Sequence, residues 1–216
     1  DFFNAKQVWK TRAYEEARRR TGKPFITVRW VDVNKGDDVH PNIRSRLVAR
    51  QIRQAGEEAI FAPTPTLESL RTILSLASTN IAGRAKHDRN PKSERRTQIS
   101  AIDISRAYFN ASMSEDDEPT YVCLPPEHPE QAKGGCGLLL KHMYGTRAAA
   151  DGWQQEYSTM LVRELGFTQG IASPCTFYDR QRGIRCCVHG DDFTSEGSKR
   201  NLDWFETEVQ QRYECK

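Results

Sequence analysis

The stretch "CCVHGDDF" at residues 186–193 places two adjacent carboxylates directly after an apolar run. The preceding segment "GIRCCV" has the composition of a buried strand, and Gly190 permits a tight turn of the backbone. The stretch therefore predicts a hairpin that delivers Asp191 and Asp192 at the edge of a rigid sheet. Because two adjacent carboxylates repel each other, this placement is favourable mainly where divalent cations bind.

The same Gly-Asp-Asp triplet also occurs at 36–38, inside "VNKGDDVHPN". Turn-forming residues surround this copy, and it lies between strands predicted at 25–33 and 43–52. No apolar run leads directly into it. The first copy is therefore predicted to be the solvated tip of a hairpin rather than a site.

A third carboxylate comes from "SAIDIS", in a strand predicted over 98–105. Asp103 lies between two isoleucines, and a charged residue inside a short apolar strand is disfavoured unless it has a role. Three aspartates at two strand ends would suffice to hold two Mg²⁺ ions about 3.5–4 Å apart. Such a pair activates an attacking hydroxyl and stabilises a leaving pyrophosphate, which is nucleotidyl transfer.

The composition fits a globular protein with an uneven charge distribution. The chain has 216 residues, 37% of them hydrophobic, and a net charge of only +3. Residues 1–53 and 84–96 are basic, whereas residues 103–130 are acidic. This pattern is typical of a protein that holds polyanions at its edges and cations at its centre, although ordinary solvated surface has the same signature.

Several classes of protein are disfavoured by the sequence. No apolar run reaches transmembrane length and no signal peptide is present, so a membrane or secreted protein is not expected. The six cysteines form no CxxC motif, which favours reduced, mostly buried thiols over a zinc site or a disulfide framework. No phosphate-binding glycine loop and no justified catalytic triad are found.

Periodicity predicts helices as well as strands. A charged helix is expected at 7–20, a helical stripe at 147–165, and two amphipathic helices elsewhere. The apolar faces of those two helices comprise Leu67, Leu70, Ile73, Leu74 and Ala77, and Leu202, Phe205 and Val209. The alternation of helices and hairpins predicts an α+β fold around an antiparallel sheet.

Seven blocks of sequence occur in an order that resembles a known family. They are "RSRLVAR", "FAPTPTLESLRTILSLAS", "AIDISRAYFNA", "TYVCLPPE", "LLLKHMYGTR", "LGFTQGIASPCTFY" and "VHGDDF". The series, from about Arg29 to the C-terminus, resembles the reverse transcriptase of copia-type LTR retrotransposon Pol polyproteins.

The resemblance implies the palm and fingers of a right-hand polymerase, with helices packed on an antiparallel sheet. Residues 1–24 would form an N-terminal flanking segment, residues 25–97 a fingers-like region with a basic loop at 80–97, and residues 98–216 a palm-like region. The thumb and RNase H regions would be absent from this chain.

The resemblance also implies the site residues. Asp103, Asp191 and Asp192 would be catalytic and would bind two Mg²⁺ ions, with Mn²⁺ as an alternative, and Ile104 would contribute its carbonyl to a metal. The backbone amides near Arg106 and Ala107 would meet the triphosphate. Tyr108 would be the aromatic gate that excludes a 2′-hydroxyl group.

Other residues implied by the resemblance would contact nucleic acid. Arg46 would bind nucleotide phosphates, whereas Arg44, Arg50, His189 and Gly190 would contact the template or the primer. The implied partners are an RNA or DNA template with its primer, deoxynucleoside triphosphates, and the adjoining integrase and RNase H regions of the polyprotein. The implied location is a cytoplasmic virus-like particle or the nucleus.

Two departures from the family pattern keep alternatives open. His189 and Gly190 replace the usual Tyr-Val before the aspartates, and Ala148 stands nearest to a usual Gln. A degenerate relic that keeps the fold and binds nucleic acid without polymerising is therefore one alternative. An RNA-dependent RNA polymerase is another, suggested by Gly-Asp-Asp and disfavoured by Tyr108.

Overall fold

The computed structural model describes residues 2–52, 62–79, 97–114 and 118–216. The predicted basic loop at 80–97 therefore lies outside the described residues, apart from Thr97. The strands are β1 (Trp9–Ala13), β2 (Val28–Asn34), β3 (Ile43–Ala49), β4 (Thr97–Asp103), β5 (Tyr121–Cys123), β6 (Gly135–Leu139), β7 (Thr168–Gln169), β8 (Thr176–Asp179), β9 (Ile184–His189) and β10 (Asp192–Ser198). The α-helices are α1 (Phe2–Ala5), α2 (Tyr14–Thr21), α3 (Leu67–Ser78), α4 (Ala149–Thr159) and α5 (Lys199–Arg212).

The chain folds into two compact units that interleave along the sequence. The first unit comprises Asp1–Ile60 and Tyr108–Trp153, and the second comprises Phe61–Ala107 and Gln154–Lys216. The division expected from the sequence, into residues 1–24, 25–97 and 98–216, stays a prediction. The mixed α/β architecture with antiparallel sheets is confirmed, and its assignment to fingers and palm stays a prediction.

The first unit contains a three-stranded sheet in the order β1-β6-β5 and the separate hairpin β2-β3. The helix predicted at 7–20 is wrong over its first half, because Trp9–Ala13 pairs with β6 as a strand. Trp9 is buried there, and only Tyr14–Thr21 is helical. Residues expected to flank the fold thus contribute a strand to it, since a long-range partner outweighs local helix propensity.

The turn after β6 is built against the end of β3 by close backbone contact. The Ala49 amide donates to the Tyr144 carbonyl at 2.7 Å, and the Gln51 amide donates to the Gly145 carbonyl at 3.2 Å. Gly145 has φ +84°, and a Cβ atom at this position would overlap the Ala49 carbonyl oxygen. Glycine is therefore required here by conformation and by space together.

The second unit is organised by a five-stranded sheet in the order β4-β10-β9-β8-β7, antiparallel at every step. Strands β8 and β9 form an antiparallel hairpin. Helices α3 and α5 pack on strands of this sheet. Adjacent residues of a strand face opposite sides, yet Cys186 and Cys187 are both buried, so the sheet is covered on both faces at β9.

The two amphipathic helices predicted from the sequence are present as α3 and α5, and the buried face of α3 differs from the prediction. Helix α5 buries Leu202, Phe205 and Val209 as predicted. Helix α3 begins at Leu67, and the hydroxyl of the preceding Thr66 accepts from the Ser69 amide at 3.2 Å. Its buried stripe is narrower than predicted, because Leu67 and Leu74 are exposed.

The helical stripe predicted at 147–165 forms a helix in two sections. Helix α4 continues directly into a π-helical turn at Met160–Glu164. The buried side chains of Met160 and Leu161 lie in that turn.

A charged pair is buried within the five-stranded sheet. Glu196 is fully buried on β10, and the Arg185 guanidinium directly opposite on β9 donates to its Oε1 at 2.6 Å. Arg185 also lies 4.7 Å from the centre of the Tyr178 ring. A buried carboxylate is tolerated only with such a partner, so this pair constrains how β9 and β10 align.

Among the residues described, no helix has both the length and the apolar character needed to cross a bilayer.

The close contact at Gly145 predicts an unequal effect of two glycine substitutions in the first unit. Gly134 also has a positive φ, +74°, but open space surrounds its missing Cβ atom. Gly134→Ala should cost only the left-handed strain, about 1 kcal/mol. Gly145→Ala must also displace the Ala49 carbonyl, so its cost should reach about 3 kcal/mol or more. Urea denaturation measures both; equal losses would show that backbone strain alone makes Gly145 necessary.

Candidate active site

A two-residue turn presents the second Gly-Asp-Asp at the end of the five-stranded sheet. His189 at the end of β9 is paired with Asp192 at the start of β10, so only Gly190 and Asp191 lie in the loop. Gly190 has φ +63°, whereas Asp191 does not have a positive φ. Positive φ at the first loop residue only is the type II′ pattern, whose twist matches that of the flanking strands. Gly190 is therefore required for its conformation.

Strand β4 brings the third aspartate to the same end of the sheet. Asp103, its last residue, lies directly opposite Asp192 in the antiparallel register. The Ile104 amide donates to the Asp191 carbonyl at 2.8 Å, which ties the turn to the residue after Asp103. Adjacent strands lie about 4.8 Å apart, and directly opposed residues face the same side. The three aspartates named from the sequence are thus brought together by pairing of two strands.

The electrostatics of Asp192 agree with this convergence. Its pKa is raised, first by partial burial and then by the negative charges of Asp191 and Asp103, while His189 acts in the opposite direction. A raised pKa means that the ionised form of Asp192 is disfavoured in the folded protein. The fold therefore carries a like-charge repulsion at this end of the sheet.

A positive charge from a distant part of the sequence lies against Asp103. The Lys216 ammonium is 3.3 Å from Asp103 Oδ2, and the Lys216 amide donates to the Asp103 carbonyl at 2.9 Å. The Ser105 amide donates to the Glu214 carbonyl at 2.7 Å, and Ile104 forms a β-bridge with Cys215. Residues 214–216 thus pair with residues 103–105, at the end of β4, through an isolated β-bridge.

The donor set fits a hard divalent cation in its chemistry. Within the described ranges, no three His, Cys, Asp or Glu side chains are arranged to hold one metal ion together as they stand. The carboxylates are, however, the oxygen ligands that Mg²⁺ and Mn²⁺ prefer. The repulsion borne by Asp192 and the ammonium at Asp103 both indicate a place where positive charge is stabilised.

The chain turns sharply after Asp103. Arg106 has φ +53°, a left-handed conformation that is uncommon for a residue other than glycine, and its guanidinium lies 3.8 Å from a Glu214 carboxylate oxygen. A 3-10 helix follows at Ala107–Asn110. Within it Ala107 is buried, and the half-buried Tyr108 ring lies 4.5 Å from the Tyr144 ring.

The predicted phosphate-binding arginines lie on or just after the β2-β3 hairpin and are exposed. Arg44 and Arg46 are paired with Val33 and Val31, so alternation places both arginines on one face of the hairpin. The same alternation adds Arg29, which the sequence reasoning did not name. The strand pairing could have identified it, because Arg29 lies two residues before Val31.

A cavity of about 300 Å³ lies in the first unit near Arg50, the third predicted arginine. Arg29, Arg50, Gln51 and Gly145 contribute to its lining. Two arginines, Arg29 and Arg50, therefore line this cavity beside a close-packed backbone turn. Its walls suit an anionic ligand.

The first Gly-Asp-Asp is a structural turn, as predicted. Asp37 Oδ1 accepts from the amides of Val39 and His40 at 2.9 and 2.6 Å. Asn34 Oδ1 accepts from the amides of Gly36 and Asn42 at 3.0 and 2.9 Å. These side chains accept the hydrogen bonds of the backbone amides at the hairpin tip. Asp37 therefore has a structural role in the turn that requires no ligand.

The segment that departs from the family pattern caps the start of α4. The Arg147 amide donates to Gln51 Oε1 at 2.8 Å, and the Ala148 carbonyl accepts from the Gly152 amide at 2.9 Å. The side chain of Gln51, just after β3, therefore contacts this turn. In the sequence, the position nearest to the family's usual glutamine is Ala148.

Comparison with known families agrees with the class indicated by the site. The family model described as "Reverse transcriptase (RNA-dependent DNA polymerase)" matches residues 12–216. The match covers nearly the whole chain, so the protein belongs to the reverse transcriptase family. A search of curated proteins found no match.

The repulsion at Asp192 predicts that removing its charge stabilises the protein. Asp192→Asn should raise the melting temperature slightly at pH 7. Because the side chain is exposed, the gain in the free energy of unfolding should be less than about 1 kcal/mol. The folded pKa is raised, so the cost of ionisation is present above that pKa and disappears as the pH falls below the unfolded value. Asp192→Asn should therefore lose its advantage in acid.

Thermal melts at pH 7 and pH 3 of Asp192→Asn and of Asp38→Asn, the matching residue of the first copy, measure this effect. Asp38→Asn should be neutral at both values. Destabilisation by Asp192→Asn at pH 7 would contradict the proposed repulsion.

Proposed function

We propose that this chain is the fingers-and-palm part of a copia-type retrotransposon reverse transcriptase. The reaction is templated addition of a deoxynucleoside monophosphate to a primer 3′-hydroxyl group. The observation that carries the proposal is the register of β4 against β10, which sets Asp103 opposite Asp192 and ties Asp191 to Ile104. Membership of the reverse transcriptase family supports it independently.

In this proposal, Asp103, Asp191 and Asp192 hold two Mg²⁺ ions, or Mn²⁺ in their place, with the Ile104 carbonyl as a further ligand. When bound, the ions lower the pKa of the primer hydroxyl and neutralise the leaving pyrophosphate. The aspartates orient the cations, and binding relieves the repulsion that raises the pKa of Asp192. A metal ion held by Asp103 would replace the Lys216 ammonium, which lies 3.3 Å from Asp103 Oδ2.

The nucleotide is held by the residues that follow Asp103. The left-handed conformation at Arg106 directs the chain into the 3-10 helix, and the backbone amides near Arg106 and Ala107 are assigned to the triphosphate. Tyr108 is the gate against a 2′-hydroxyl group, and its contact with Tyr144 fixes the ring. A rigid aromatic ring excludes an extra oxygen more effectively than a mobile one.

Nucleic acid is bound mainly by charge. Arg46 is assigned to nucleotide phosphates, and Arg44 and Arg50 to the template, all three being exposed. His189 and Gly190, at the turn, are assigned to the primer end. Affinity for primer–template should fall steeply with salt, since each phosphate contact releases counterions.

The proposed setting is a Pol polyprotein in which integrase and RNase H regions adjoin this chain. Its location would be a cytoplasmic virus-like particle or the nucleus.

A second candidate is a relic that binds primer–template without extending the primer. Three features favour this candidate. Ala148 stands in place of a polar residue, and His189 precedes the turn. Within the described residues, no three potential ligand side chains are arranged to hold one metal ion. The three retained aspartates and the intact register favour the active enzyme.

Primer extension tests the proposal. The protein, joined to the thumb region that follows in this family, is incubated with poly(rA)/oligo(dT), Mg²⁺ and dTTP. Wild type should extend the primer, and Asp191→Asn should reduce the rate at least about 100-fold, because metal stabilisation contributes several kcal/mol to the barrier. Asp38→Asn, an aspartate-to-asparagine change in the exposed first copy, is the control and should leave the rate unchanged.

Two outcomes would replace the proposal. Salt-sensitive binding of primer–template without extension, in both Mg²⁺ and Mn²⁺, would establish the relic. Equal incorporation of UTP and dTTP would contradict the role of Tyr108 and favour an RNA polymerase.

A further inference from the structure

Two cysteines of the first unit face each other across the pair of strands β5 and β6. In the antiparallel register Cys123 is the direct partner of Cys136. Directly opposed residues project from the same face of the sheet, so their side chains are neighbours. The sequence gives no indication of this pairing, because the two cysteines are separated by an irregular proline-containing segment.

The hydrogen-bond pattern shows which kind of pair they form. The Leu139 amide donates to the Thr120 carbonyl at 2.9 Å, so the register makes Thr120 and Leu139 a hydrogen-bonded pair. Such pairs alternate along a ladder with pairs that exchange no backbone bond. Three positions further, Cys123 and Cys136 therefore form a non-hydrogen-bonded pair.

The other partner of Cys123 confirms this assignment. Its amide donates to the Ile26 carbonyl at 2.8 Å, on the side away from β6. Non-hydrogen-bonded partners have Cα atoms about 4.5 Å apart, the closer of the two antiparallel spacings. That separation lies within the range of roughly 4.4–6.8 Å that a disulfide spans.

The surroundings make the two thiols unequal. Cys136 is fully buried in a small core with Ala17 and Tyr121, and its Sγ donates to the Arg12 carbonyl at 3.5 Å. Burial, followed by the neighbouring Cys123, raises the pKa of Cys136 to about 11. Cys123 is partly exposed, and its pKa is raised by burial alone. Both thiols are free in this structure.

We infer that Cys123 and Cys136 are a redox-sensitive pair, in which a small disulfide such as oxidised glutathione generates a cross-strand disulfide. The Cys123 thiolate attacks one sulfur of glutathione disulfide, forms a mixed disulfide and releases one glutathione thiolate. Cys136 loses its proton to solvent and attacks the Cys123 sulfur, which releases the second glutathione. Two protein thiols are oxidised, and one glutathione disulfide is reduced to two thiols.

The bond would join β5, at the end of the sheet order β1-β6-β5, to the central strand β6. It closes the loop between residues 123 and 136, which lowers the entropy of the unfolded chain. The first unit should then resist unfolding more strongly when oxidised. The raised pKa values predict slow exchange at pH 7, with a rate that rises with pH as the thiolates form.

The other four cysteines provide internal competitors. Cys215 is partly exposed, but its β-bridge partner is Ile104 and not a cysteine, and its Sγ donates to the Tyr213 carbonyl at 3.3 Å. Cys186 and Cys187 are neighbours on one strand, face opposite sides and are both buried. Cys175 lies close enough to Cys187 to raise its pKa, but the Cys175 Sγ donates to the Pro63 carbonyl at 3.1 Å. None of these arrangements combines a partly exposed thiol with a directly opposed cysteine.

Oxidation of the folded protein by glutathione disulfide at pH 8.5 tests the inference, followed by alkylation and peptide mapping. The expected product is a link between Cys123 and Cys136, with the melting temperature raised by roughly 5–10 °C. Cys136→Ala should instead accumulate a stable mixed disulfide at Cys123. Cys123→Ala should give neither product.

Two results would overturn the inference. One is a wild type that keeps both thiols, or retains the mixed disulfide at Cys123, after the oxidised protein is shown to be folded by circular dichroism. The other is a predominant link that involves Cys175, Cys186, Cys187 or Cys215. Because no step involves the carboxylate end of the second unit, these outcomes are independent of polymerase activity.

Discussion

The alignment of β4 with β10 is the constraint on which the candidate site depends. Side chains alternate along a strand, so a slip of one residue would turn Asp103 to the other face of the sheet. The two-residue turn at Gly190 sets the register of β9 with β10, and the buried pair of Arg185 with Glu196 holds the same two strands further along. Backbone geometry at the turn and charge pairing within the sheet thus fix the alignment of β9 with β10. The ladder between β4 and β10 and the bond from the Ile104 amide to the Asp191 carbonyl then align β4 with that hairpin.

The charge balance at this end of the sheet follows from that alignment. Three carboxylates are gathered where two strands end, and the resulting repulsion appears as the raised pKa of Asp192. The Lys216 ammonium offsets part of it through Asp103. The uncompensated part of this repulsion gives the site a preference for additional cations. Such a preference is expected of a metal-dependent active site, where function is maintained at some cost in stability.

Local signals in the sequence predicted a large part of the fold. The β9-β10 hairpin and helix α5 are encoded within short windows, by a glycine turn and by an apolar stripe at helical spacing, and both are found. The residues that precede each Gly-Asp-Asp copy distinguish the two copies, because an apolar run leads into the second copy only. The structural turn at Asp37 agrees with that distinction.

Long-range pairing accounts for what the sequence reasoning missed. Trp9–Ala13 is a strand because β6 supplies its partner more than 100 residues later, and no local pattern reports that partner. The contact of Lys216 with Asp103 and the opposition of Cys123 to Cys136 have the same origin. The convergence of Asp103 with Asp192 was expected only through the choice of residue types and the family resemblance.

Anomalous diffraction from crystals soaked in Mn²⁺ tests the central claim most directly. The account predicts manganese peaks at the carboxylates of Asp103 and of the Asp191–Asp192 turn, with the Lys216 ammonium withdrawn from Asp103. A peak at the Asp37–Asp38 turn instead, or none while Lys216 remains paired with Asp103, would contradict it.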